Sequence, residues 1–556
     1  MDKPIFPDYA PTLPNLLANA CREFPGREFL IAGDRSYTYA DAERISAEMA
    51  RGMLAMGIGK GTRVGILMPN APEWVFTWLA AGRIGAFMVL VSTLYQPREL
   101  AWVLAHGDVH TLFATAEFAG HDYRQRLEKA LPGLSEQKAT RPLALPSHPY
   151  LRRILLWGDA QPPAWALACP DALTAAVHER PGLDAALLAA AEAAVTPSDD
   201  FVTICTSGST ADPKMVVHTH GSALRTVHTY RAYRSLRGDD RDLVGMPLFW
   251  LGGLNSNLIP AMFDGAALVF PPSPREQDLL DTVVRQRVTK ISLWQVQKNA
   301  LFDLAREQGA DISSVRDGGA AEPRDEHGNI VPMARRVLNL LGMTETFGPH
   351  GVERRPGILL PERAGALGHA VEGIERRIVH PQTRAVLPPG EVGELEVRGY
   401  SLMHGYYKKE RAEFLTPDGW FPTGDLCRLD EAGYIYFHAR GTEMIKSMGA
   451  NVAPREVELQ LEALPGVREA IVFGLPDEKR GEAVAAVVVP LEGQSVTGES
   501  LRAQLKERLS AYKVPSEIVV VRHEDVPRTD SGKSRKGELK KMMPSLRNRP
   551  ANAGLQ

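Results

Sequence analysis

Residues 206–214 read Thr-Ser-Gly-Ser-Thr-Ala-Asp-Pro-Lys and follow an apolar run, residues 201–205, that predicts a strand. Backbone N–H groups and hydroxyls after a strand can bind phosphate oxygens, and a lysine adds positive charge. The spacing is not that of a Walker P-loop. The segment therefore predicts a phosphate-binding loop, with an ordinary Ser/Gly turn as the alternative.

A glutamate beside a threonine follows at residues 342–345, which read Gly-Met-Thr-Glu. A carboxylate next to a hydroxyl can bind a magnesium triphosphate, because Mg²⁺ takes one or two protein carboxylates and leaves its other positions to water and phosphate. The alternative is a solvated glutamate at the start of a helix. Thr344 and Glu345 are thus candidate catalytic residues, and Glu345 is a candidate metal ligand.

Three later segments contribute further charged side chains. Asp425 follows Thr-Gly and can accept hydrogen bonds from ribose hydroxyls, although turn aspartates are common. Arg440 precedes the Met-Ile-Lys-Ser-Met-Gly segment at residues 444–449. Lys533 ends a Ser/Gly turn at residues 527–533, for which a basic, solvated tail is the alternative.

The elements that must position these residues alternate between strand-like and helix-like patterns up to about residue 440. Residues 63–68 form an apolar run, Pro72 opens an apolar helical pattern, and residues 87–91 form the next run. This order predicts βαβ units and parallel sheets. Period-two alternation after residue 385 predicts antiparallel strands, and a small α/β pattern begins at residue 454.

The order of the five segments resembles that of the adenylate-forming superfamily and, within it, of the acyl-CoA synthetases (AMP-forming acid–CoA ligases). The resemblance covers nearly the whole chain, including residues 57–61 and 68–70. It implies ATP-dependent activation of a carboxylic acid to an acyl-adenylate and then to an acyl-CoA, with release of pyrophosphate and AMP. ATP, Mg²⁺ and coenzyme A are the implied cofactors and co-substrates.

The sequence pattern and the resemblance together predict an α/β fold in two domains. The large N-terminal domain, residues 1–439, would hold parallel and mixed sheets with helices plus a small β-barrel-like part. The small, mobile α+β C-terminal domain would cover residues 440–543. The polar tail, residues 544–556, is expected to be disordered.

The resemblance also implies roles for the motif residues. The phosphates of ATP would be bound by Thr206, Ser207, Gly208, Ser209, Thr210 and Lys214. Thr344 would contact the α-phosphate and Glu345 would bind Mg²⁺. Gly318, Gly319 and Ala320 would lie beside the adenine and the acyl group. Asp425 would bind the ribose hydroxyls, with Arg440 nearby.

The resemblance assigns the two half-reactions to different parts of the C-terminal domain. Lys533 would approach the reacting carboxylate during adenylation, where a compact positive charge can follow the migrating negative charge. Rotation about Thr442 would then bring Lys446 and Gly449 to the site for thioester formation. Gly449 has no side chain, so the narrow pantetheine arm could approach the backbone there.

The implied acyl pocket is bulky and apolar and contains no lysine or arginine. Its residues would be Trp250, Leu251, Gly252, Gly253, Trp294, Gly319, Leu341, Phe347 and Gly348. A second substrate carboxylate would be left unpaired there, which favours an apolar monocarboxylic acid, medium-chain or alicyclic. The alternative is that both tryptophans belong to the core.

Two other functions remain open at the level of the sequence. The adenylate could be passed to a carrier-protein arm, although no carrier-like Ser segment follows the small domain. A non-catalytic adenylate-binding module would be consistent with Ala211, Leu341 and Thr442, which depart from the family pattern. Glu345 and Lys533 argue against that module.

Composition excludes several other classes of protein. The 556 residues are 44% hydrophobic and 24% charged, with a net charge of −3, which disfavours a disordered chain and a nucleic-acid or anionic-membrane partner. Four scattered cysteines give no disulfide framework or zinc spacing. No signal peptide or transmembrane segment is expected, so the predicted location is the cytoplasm. The sequence leaves the oligomeric state and the identity of the acid open.

Overall fold

The computed structural model describes residues 6–180, 182–206, 213–231, 236–316, 340–353, 363, 365–440, 444–491, 493–528 and 534–547, with residues 295, 296, 439 and 440 described by their backbone alone. These residues belong to two compact units. The first comprises Met1–Thr93, Leu104–Cys205 and Met215–Ala439, and the second comprises Leu94–Val103, Thr206–Lys214 and Arg440–Gln556. The predicted division of the sequence at residue 440 stays a prediction.

The helices begin where the sequence offers proline or a capping side chain. Pro72 opens one helix at its first turn, and Thr38 and Asp41 form a reciprocal capping box at another. The helices are α1 (Leu13–Glu23), α2 (Tyr39–Ala55), α3 (Pro72–Arg83), α4 (Pro97–His106), α5 (Tyr123–Ala130), α6 (Asp171–His178), α7 (Ala185–Ala193), α8 (His220–Arg231), α9 (Leu251–Gly253), α10 (Ile259–Asp264), α11 (Glu276–Arg285), α12 (Gln295–Gln308), α13 (Pro454–Glu462), α14 (Gly498–Lys506) and α15 (Lys536–Arg547).

The largest sheet has eight strands and carries the predicted phosphate loop. Its order is β20 (Gly405–Tyr406), β11 (Lys214–Thr219), β10 (Asp200–Thr206), β4 (Phe87–Leu90), β3 (Arg63–Leu67), β5 (Thr111–Thr115), β8 (Arg153–Trp157) and β9 (Leu167–Cys169). From β10 to β9 every neighbouring pair is parallel, and β11 pairs with β20 in the antiparallel sense. The predicted βαβ order is therefore confirmed.

A second, five-stranded sheet faces the same core. Its order is β14 (Lys290–Ser292), β12 (Arg241–Val244), β13 (Ala267–Phe270), β1 (Glu28–Ala32) and β2 (Arg35–Thr38). The first four strands are parallel, and β2 is antiparallel. The main core contains residues of both sheets together with α1, α2, α3 and α8. In α3 every residue except Glu73 is buried, so this helix is apolar around its whole circumference rather than on one face.

Smaller sheets complete the first unit. A three-stranded antiparallel sheet contains β15 (Leu340–Met343), β16 (Gly348–Val352) and β17 (His369–Ala370). The predicted barrel-like part is a four-stranded sheet of β18 (Ile374–Val379), β19 (Gly393–Gly399), β21 (Phe421–Leu429) and β22 (Ile435–Arg440). A short pair joins β6 (Glu117–Phe118) and β7 (His121–Asp122).

The second unit is built on a mixed sheet with helices on it. Its strands are β24 (Ala450–Val452), β23 (Ile445–Ser447), β26 (Gly481–Pro490), β25 (Val467–Asp477) and β27 (Glu517–Val520). β26 pairs with β25 in the antiparallel sense and with β27 in the parallel sense. The sheet has apolar clusters on both faces. Mixed α/β sheets and a separate small unit confirm the predicted fold class.

The expectation of a disordered tail from residue 544 is wrong for its first residues. Helix α15 continues through Pro544 to Arg547. Met543 and Leu546 are 1% and 3% exposed and pack with the β25–β26 cluster, so apolar burial holds the last turn in place. Residues 548–556 lie outside the described residues. Within the described part of the chain, every helix is too short or too polar to cross a bilayer.

Candidate active site

Two neighbouring segments of the eight-stranded sheet flank the predicted phosphate loop. Thr206 is the last residue of β10, and Lys214 is the first residue of β11. Both are half-buried. Ser207, Gly208, Ser209 and Thr210 lie outside the described residues. The predicted strand before the loop and the lysine after it are therefore where the sequence pattern placed them.

Thr344 and Glu345 form the tight turn between β15 and β16. Residues 344–346 make one turn of 3₁₀ helix, and Phe347 then adopts φ 52° and Gly348 φ 135°. The Thr346 hydroxyl donates to Gly348 O at 2.6 Å. A bulky residue at positive φ persists only where its surroundings hold it. The glutamate thus sits on a tightly constrained turn rather than at the start of a solvated α-helix.

Contacts from distant parts of the first unit hold the backbone of this turn. His218 on β11 contacts Thr344 O through Nε2 at 2.7 Å, and Met403 N–H donates to Glu345 O at 2.7 Å. Asn255 Nδ2 donates to Phe347 O at 3.2 Å. Because a carbonyl oxygen only accepts, Nε2 of His218 carries the proton. Burial lowers the pKa of His218 to about 4, so the ring is neutral near pH 7.

The Glu345 side chain is buried, at 9% exposure, and its Oε1 accepts a hydrogen bond from the Tyr406 hydroxyl at 2.8 Å. Among the described residues, no lysine or arginine forms an ion pair with this carboxylate. A buried charge normally requires a partner. One such carboxylate fits Mg²⁺, which needs only one or two protein carboxylates when phosphate and water supply its other ligands.

Asp425 lies on β21 at a local irregularity of the strand. The register between β19 and β21 shifts between Glu394 and Glu396, and Gly424 adopts φ 74°. A bulge of this kind changes the direction of the next side chain. The Asp425 N–H donates to the Thr423 hydroxyl at 3.1 Å, and the side chain is buried. The Thr-Gly-Asp motif is thus a bulge that sets the direction of the aspartate.

The second unit holds two of the residues expected to act in thioester formation. Lys446 is exposed on β23, and its backbone N–H donates to Glu482 Oε2 at 2.7 Å. Met448 and Gly449 form the two-residue connection from β23 to β24, with φ values of 51° and 79°. Positive φ at both positions defines a type I′ turn. The backbone conformation therefore favours glycine at position 449. The proposed approach of the pantetheine arm favours glycine there as well, because it has no side chain.

The predicted acyl-pocket residues divide between two apolar clusters. Trp250 and Trp294 contact each other edge to face, with ring centroids 6.5 Å apart. Trp250 and Leu251 are half-buried and pack against the main core, which includes the fully buried Phe347. Gly252 lies against Met246, since a Cβ there would be 3.1 Å from its sulfur atom.

Leu341 lies apart from this group. It is half-buried on β15 and packs against the apolar cluster of the four-stranded sheet. The structure therefore brings Trp250, Leu251 and Phe347 to one core, with Trp294 in contact with Trp250, and places Leu341 on another. The proposed position of Leu341 beside the adenine stays a prediction.

Several predicted site residues lie outside the described residues. These are Ser207, Gly208, Ser209, Thr210, Gly318, Gly319, Ala320, Thr442 and Lys533. Arg440 ends β22, and its backbone alone is described. Their proposed roles stay predictions.

Sequence reasoning missed three residues that shape the site: His218, Tyr406 and Asn255. Each acts through a contact distant in sequence, with 126 residues between His218 and Thr344 and 61 between Tyr406 and Glu345. Asn255 lies in the π-helical segment Leu254–Leu258. The polar residues inside this otherwise apolar helix could have drawn attention to the segment. A π-helical turn within an α-helix often marks a functional site.

Comparisons with known proteins find relatives along nearly the whole chain. Residues 17–407 match the AMP-binding enzyme family, and residues 456–533 match the AMP-binding enzyme C-terminal domain. The chain is 28% identical over 557 residues to the putative acyl-CoA synthetase YngI of Bacillus subtilis, covering 95% of this chain and 96% of the relative. It is 32% identical over 519 residues to a feruloyl-CoA synthase of Amycolatopsis sp, covering 92% and 94%. The solved o-succinylbenzoate CoA synthetase of Bacillus subtilis has a TM-score of 0.71 at 25% identity, covering 95% of this chain and 98% of that one.

Proposed function

The chain belongs to the AMP-binding enzyme family and is an AMP-forming acid–CoA ligase, and from this premise we propose that its acid is an apolar monocarboxylate, medium-chain or alicyclic. The enzyme uses ATP and CoA to convert a carboxylic acid to its acyl-CoA. The proposed class of acid rests on the contact between Trp250 and Trp294, which provides apolar surface.

In the first half-reaction, a carboxylate oxygen of the acid attacks the α-phosphorus of ATP. The new C(O)O–P bond forms while the bond from the α-phosphorus to the pyrophosphate oxygen breaks, and pyrophosphate leaves. An anion here attacks an anion, so positive charge and oriented donors must offset the repulsion in the transition state. We assign that task to the 206–214 segment, to Thr344 and to Lys533.

Glu345 is the residue that would hold Mg²⁺. Its carboxylate is buried and accepts a hydrogen bond from the Tyr406 hydroxyl. Bound Mg²⁺ would neutralise charge on the phosphates. The ribose hydroxyls are assigned to Asp425, whose direction is set by the bulge at Gly424.

In the second half-reaction, the sulfur of CoA attacks the acyl carbon of the adenylate. The thioester C–S bond forms, the C–O bond to AMP breaks, and the thiol proton passes to solvent. We assign the approach of the pantetheine arm to Lys446 and Gly449, because the type I′ turn places an unsubstituted Cα on the exposed connection between two strands. Thr442 is proposed as the hinge between the two half-reactions.

Charge argues for a monocarboxylate. Of the predicted pocket residues, Trp250, Leu251, Gly252, Trp294 and Phe347 carry no charge, and Leu341, on the other apolar cluster, carries none either. A second carboxylate in such surroundings would lose its hydration without gaining a partner. Two half-buried indole rings provide apolar surface for a hydrocarbon body instead.

An aryl monocarboxylate is the second candidate. The edge-to-face tryptophans could pack against a third aromatic ring, since such arrangements are favourable for aromatic groups. One of the relatives at 32% identity is a feruloyl-CoA synthase. This candidate differs from the first in the shape of the acid and keeps its single carboxylate.

A panel of acids assayed with ATP and CoA tests the proposal. Octanoate and cyclohexanecarboxylate represent the proposed class, ferulate the second candidate, and malonate the excluded dicarboxylates. We expect the highest kcat/KM for the first two, with acyl-CoA, AMP and pyrophosphate formed in equal amounts. A preference for malonate overturns the argument from charge, and a preference for ferulate selects the second candidate.

Free CoA also tests the carrier-protein alternative. If acyl-adenylate forms but free CoA does not consume it, the acceptor is a carrier arm. Acid-dependent release of pyrophosphate excludes the non-catalytic module. The cytoplasmic location stays a prediction.

A further inference from the structure

The hydroxyl of Tyr406 makes the hydrogen bond to the Glu345 carboxylate that defines the direction of that side chain. The two oxygen atoms, Tyr406 Oη and Glu345 Oε1, are 2.8 Å apart. Hydrogen bonds to charged acceptors are stronger than neutral ones. In buried surroundings, where water competes little, such a bond can fix one orientation of a flexible side chain.

The backbone of the turn does not depend on this hydroxyl. His218 and Met403 contact Thr344 O and Glu345 O, and Asn255 contacts Phe347 O. These contacts involve the main chain on both sides of the glutamate side chain. Removing the Tyr406 hydroxyl should therefore change the orientation of the carboxylate and leave the turn in place.

Tyr406 is itself held by its strand and its ring. It pairs with Val216 across β11 and β20. Its ring contacts Phe414 edge to face at a centroid distance of 5.4 Å and packs against the apolar cluster of the four-stranded sheet. A phenylalanine at this position would keep both contacts, so the hydroxyl can be removed alone.

We propose that Tyr406 is a positioning residue for magnesium: its hydroxyl fixes the Glu345 carboxylate in the orientation that binds the metal of Mg–ATP. The inference rests on the proposed role of Glu345. Groups that orient a metal ligand commonly matter about 10–100-fold for metal affinity or activity. A residue 61 positions away in sequence would thereby tune the requirement for Mg²⁺.

The chain offers a matched control in the next residue. The Tyr407 hydroxyl donates to Asp108 Oδ2 at 3.0 Å, so it too is a tyrosine bound to a carboxylate. Asp108 also pairs with Lys408 at 2.9 Å, whereas no lysine or arginine of the described chain pairs with Glu345. Tyr407→Phe thus removes the same chemical group beside a carboxylate that already has a cation.

The experiment compares the parent with Tyr406→Phe, Tyr407→Phe, Glu345→Gln and the double variant Tyr406→Phe/Glu345→Gln. Calorimetry measures ATP binding with Mg²⁺ and with EDTA, and pyrophosphate release measures adenylation across a Mg²⁺ titration. For Tyr406→Phe we expect about a tenfold higher half-saturating Mg²⁺ concentration. Its ATP affinity in EDTA and its Tm should match the parent. Tyr407→Phe should leave the Mg²⁺ titration unchanged.

Each other outcome has a definite meaning. If Glu345→Gln shifts the Mg²⁺ titration and Tyr406→Phe does not, the positioning role is wrong and the proposed function stands. If Glu345→Gln leaves Mg²⁺-dependent ATP binding unchanged, the metal role of Glu345 is wrong, and the inference about Tyr406 is overturned with it. In the Glu345→Gln background, Tyr406→Phe should add no further Mg²⁺ effect. A full additional effect there would mean that the hydroxyl acts elsewhere.

Discussion

The buried carboxylate of Glu345 and the buried carboxylates around Lys513 have their charge compensated in different ways. In the first unit, Glu345 is 9% exposed and has a tyrosine hydroxyl as its hydrogen-bond donor. In the second unit, Lys513 lies between Glu99 and Glu456, with Nζ–Oε1 distances of 2.8 and 2.7 Å. The three side chains are 2–3% exposed. One site has a resident cation from the chain, and the other has none among the described residues.

The second-unit cluster contains further polar contacts. Glu99 Oε2 also accepts hydrogen bonds from the Ser510 hydroxyl at 2.7 Å and from Gln96 N–H at 3.0 Å. Burial by itself would lower the pKa of Lys513, but the nearby Tyr512, Glu99 and Glu456 more than offset it and raise the pKa. The lysine is therefore charged near neutral pH.

The contrast separates a structural use of buried charge from a functional one. A carboxylate whose charge is balanced by a lysine needs no further cation, and its contribution is to join segments 414 residues apart. A buried carboxylate whose partner is a neutral hydroxyl still needs a cation. We therefore expect opposite responses when each charge is removed.

Lys513→Met should give the largest effect on stability. Removing one partner of a buried ion pair costs about 3–5 kcal/mol, because the remaining charge is left uncompensated. Here two carboxylates would be left. Urea unfolding monitored by hydrogen exchange in β25 and β26 measures the loss of stability in the unit concerned.

Lys409→Met is the control for removing a lysine from an exposed pair. Lys409 contacts Glu413 at 2.7 Å with both side chains about half exposed, and such surface pairs contribute only about 0–1 kcal/mol. The triple variant Glu99→Gln/Glu456→Gln/Lys513→Met removes all three charges and should recover much of the stability. If Lys513→Met costs no more than Lys409→Met, the cluster is not a structural ion pair.

Glu345→Gln should give the next largest effect, and on activity rather than stability. Loss of a group that stabilises charge in the transition state costs about 10²–10³ in rate. Glutamine keeps an acceptor for Tyr406 and removes a buried charge that has no cationic partner among the described residues. Adenylation should therefore fall while the free energy of unfolding stays unchanged or rises. A variant that loses stability as Lys513→Met does, and keeps its activity, would place Glu345 with the structural charges.

The sequence predicted the local parts of the site because they depend on neighbouring residues. The strand before the phosphate loop follows from a short apolar run, and Thr344 and Glu345 were singled out because they are adjacent in the sequence. The parallel order of β3, β4 and β5 followed from alternation of apolar runs and a helical pattern. Features that depend on neighbouring residues can therefore be predicted from a single sequence.

The sequence could not predict what depends on contacts between distant segments. Nothing near Tyr406 in the sequence indicates that its hydroxyl meets Glu345, and nothing near Glu99 indicates Lys513. The helical state of Pro544 was missed for a related reason: burial of Met543 and Leu546 outweighs the low helix propensity of proline. Leu341 was grouped with Trp250 by motif, whereas its strand places it on another apolar cluster.

Trp250→Ala tests the uncharged part of the same active site. It removes an indole from a half-buried position and should shift the preferred acid toward longer or bulkier monocarboxylates. Hydrophobic pockets discriminate by about 1–3 kcal/mol per methylene, so we expect a shift in kcat/KM ratios rather than a switch. Phe113→Ala is the control, since Phe113 is 0% exposed in the main core and should lose stability while keeping its acid profile. The reverse pattern would place Trp250 in the core.

A buried titratable group can also avoid the cost of burying a charge by staying neutral, as His220 does. Its Nδ1 accepts a hydrogen bond from Leu13 N–H at 3.2 Å, so this nitrogen must be unprotonated. The ring is 0% exposed and lies 4.3 Å from the Phe201 ring. Burial lowers the pKa of His220 to about 3.

The pH dependence of His220 has a definite sign. The folded pKa is below the unfolded value of about 6.5, so the unfolded state binds the extra proton first. The stabilising contribution is complete above pH 6.5 and is lost as pH falls toward 3, at up to about 1.4 kcal/mol per pH unit. His220→Asn keeps an acceptor for Leu13 without titrating, so the difference in unfolding free energy between parent and variant should change over this range. His404 should behave in the opposite sense, because its hydrogen bond to Asp200 raises its pKa and its contribution disappears as pH rises. A parent and a His220→Asn variant with parallel stability curves from pH 7 to 4 would mean that His220 accepts a proton in the folded core.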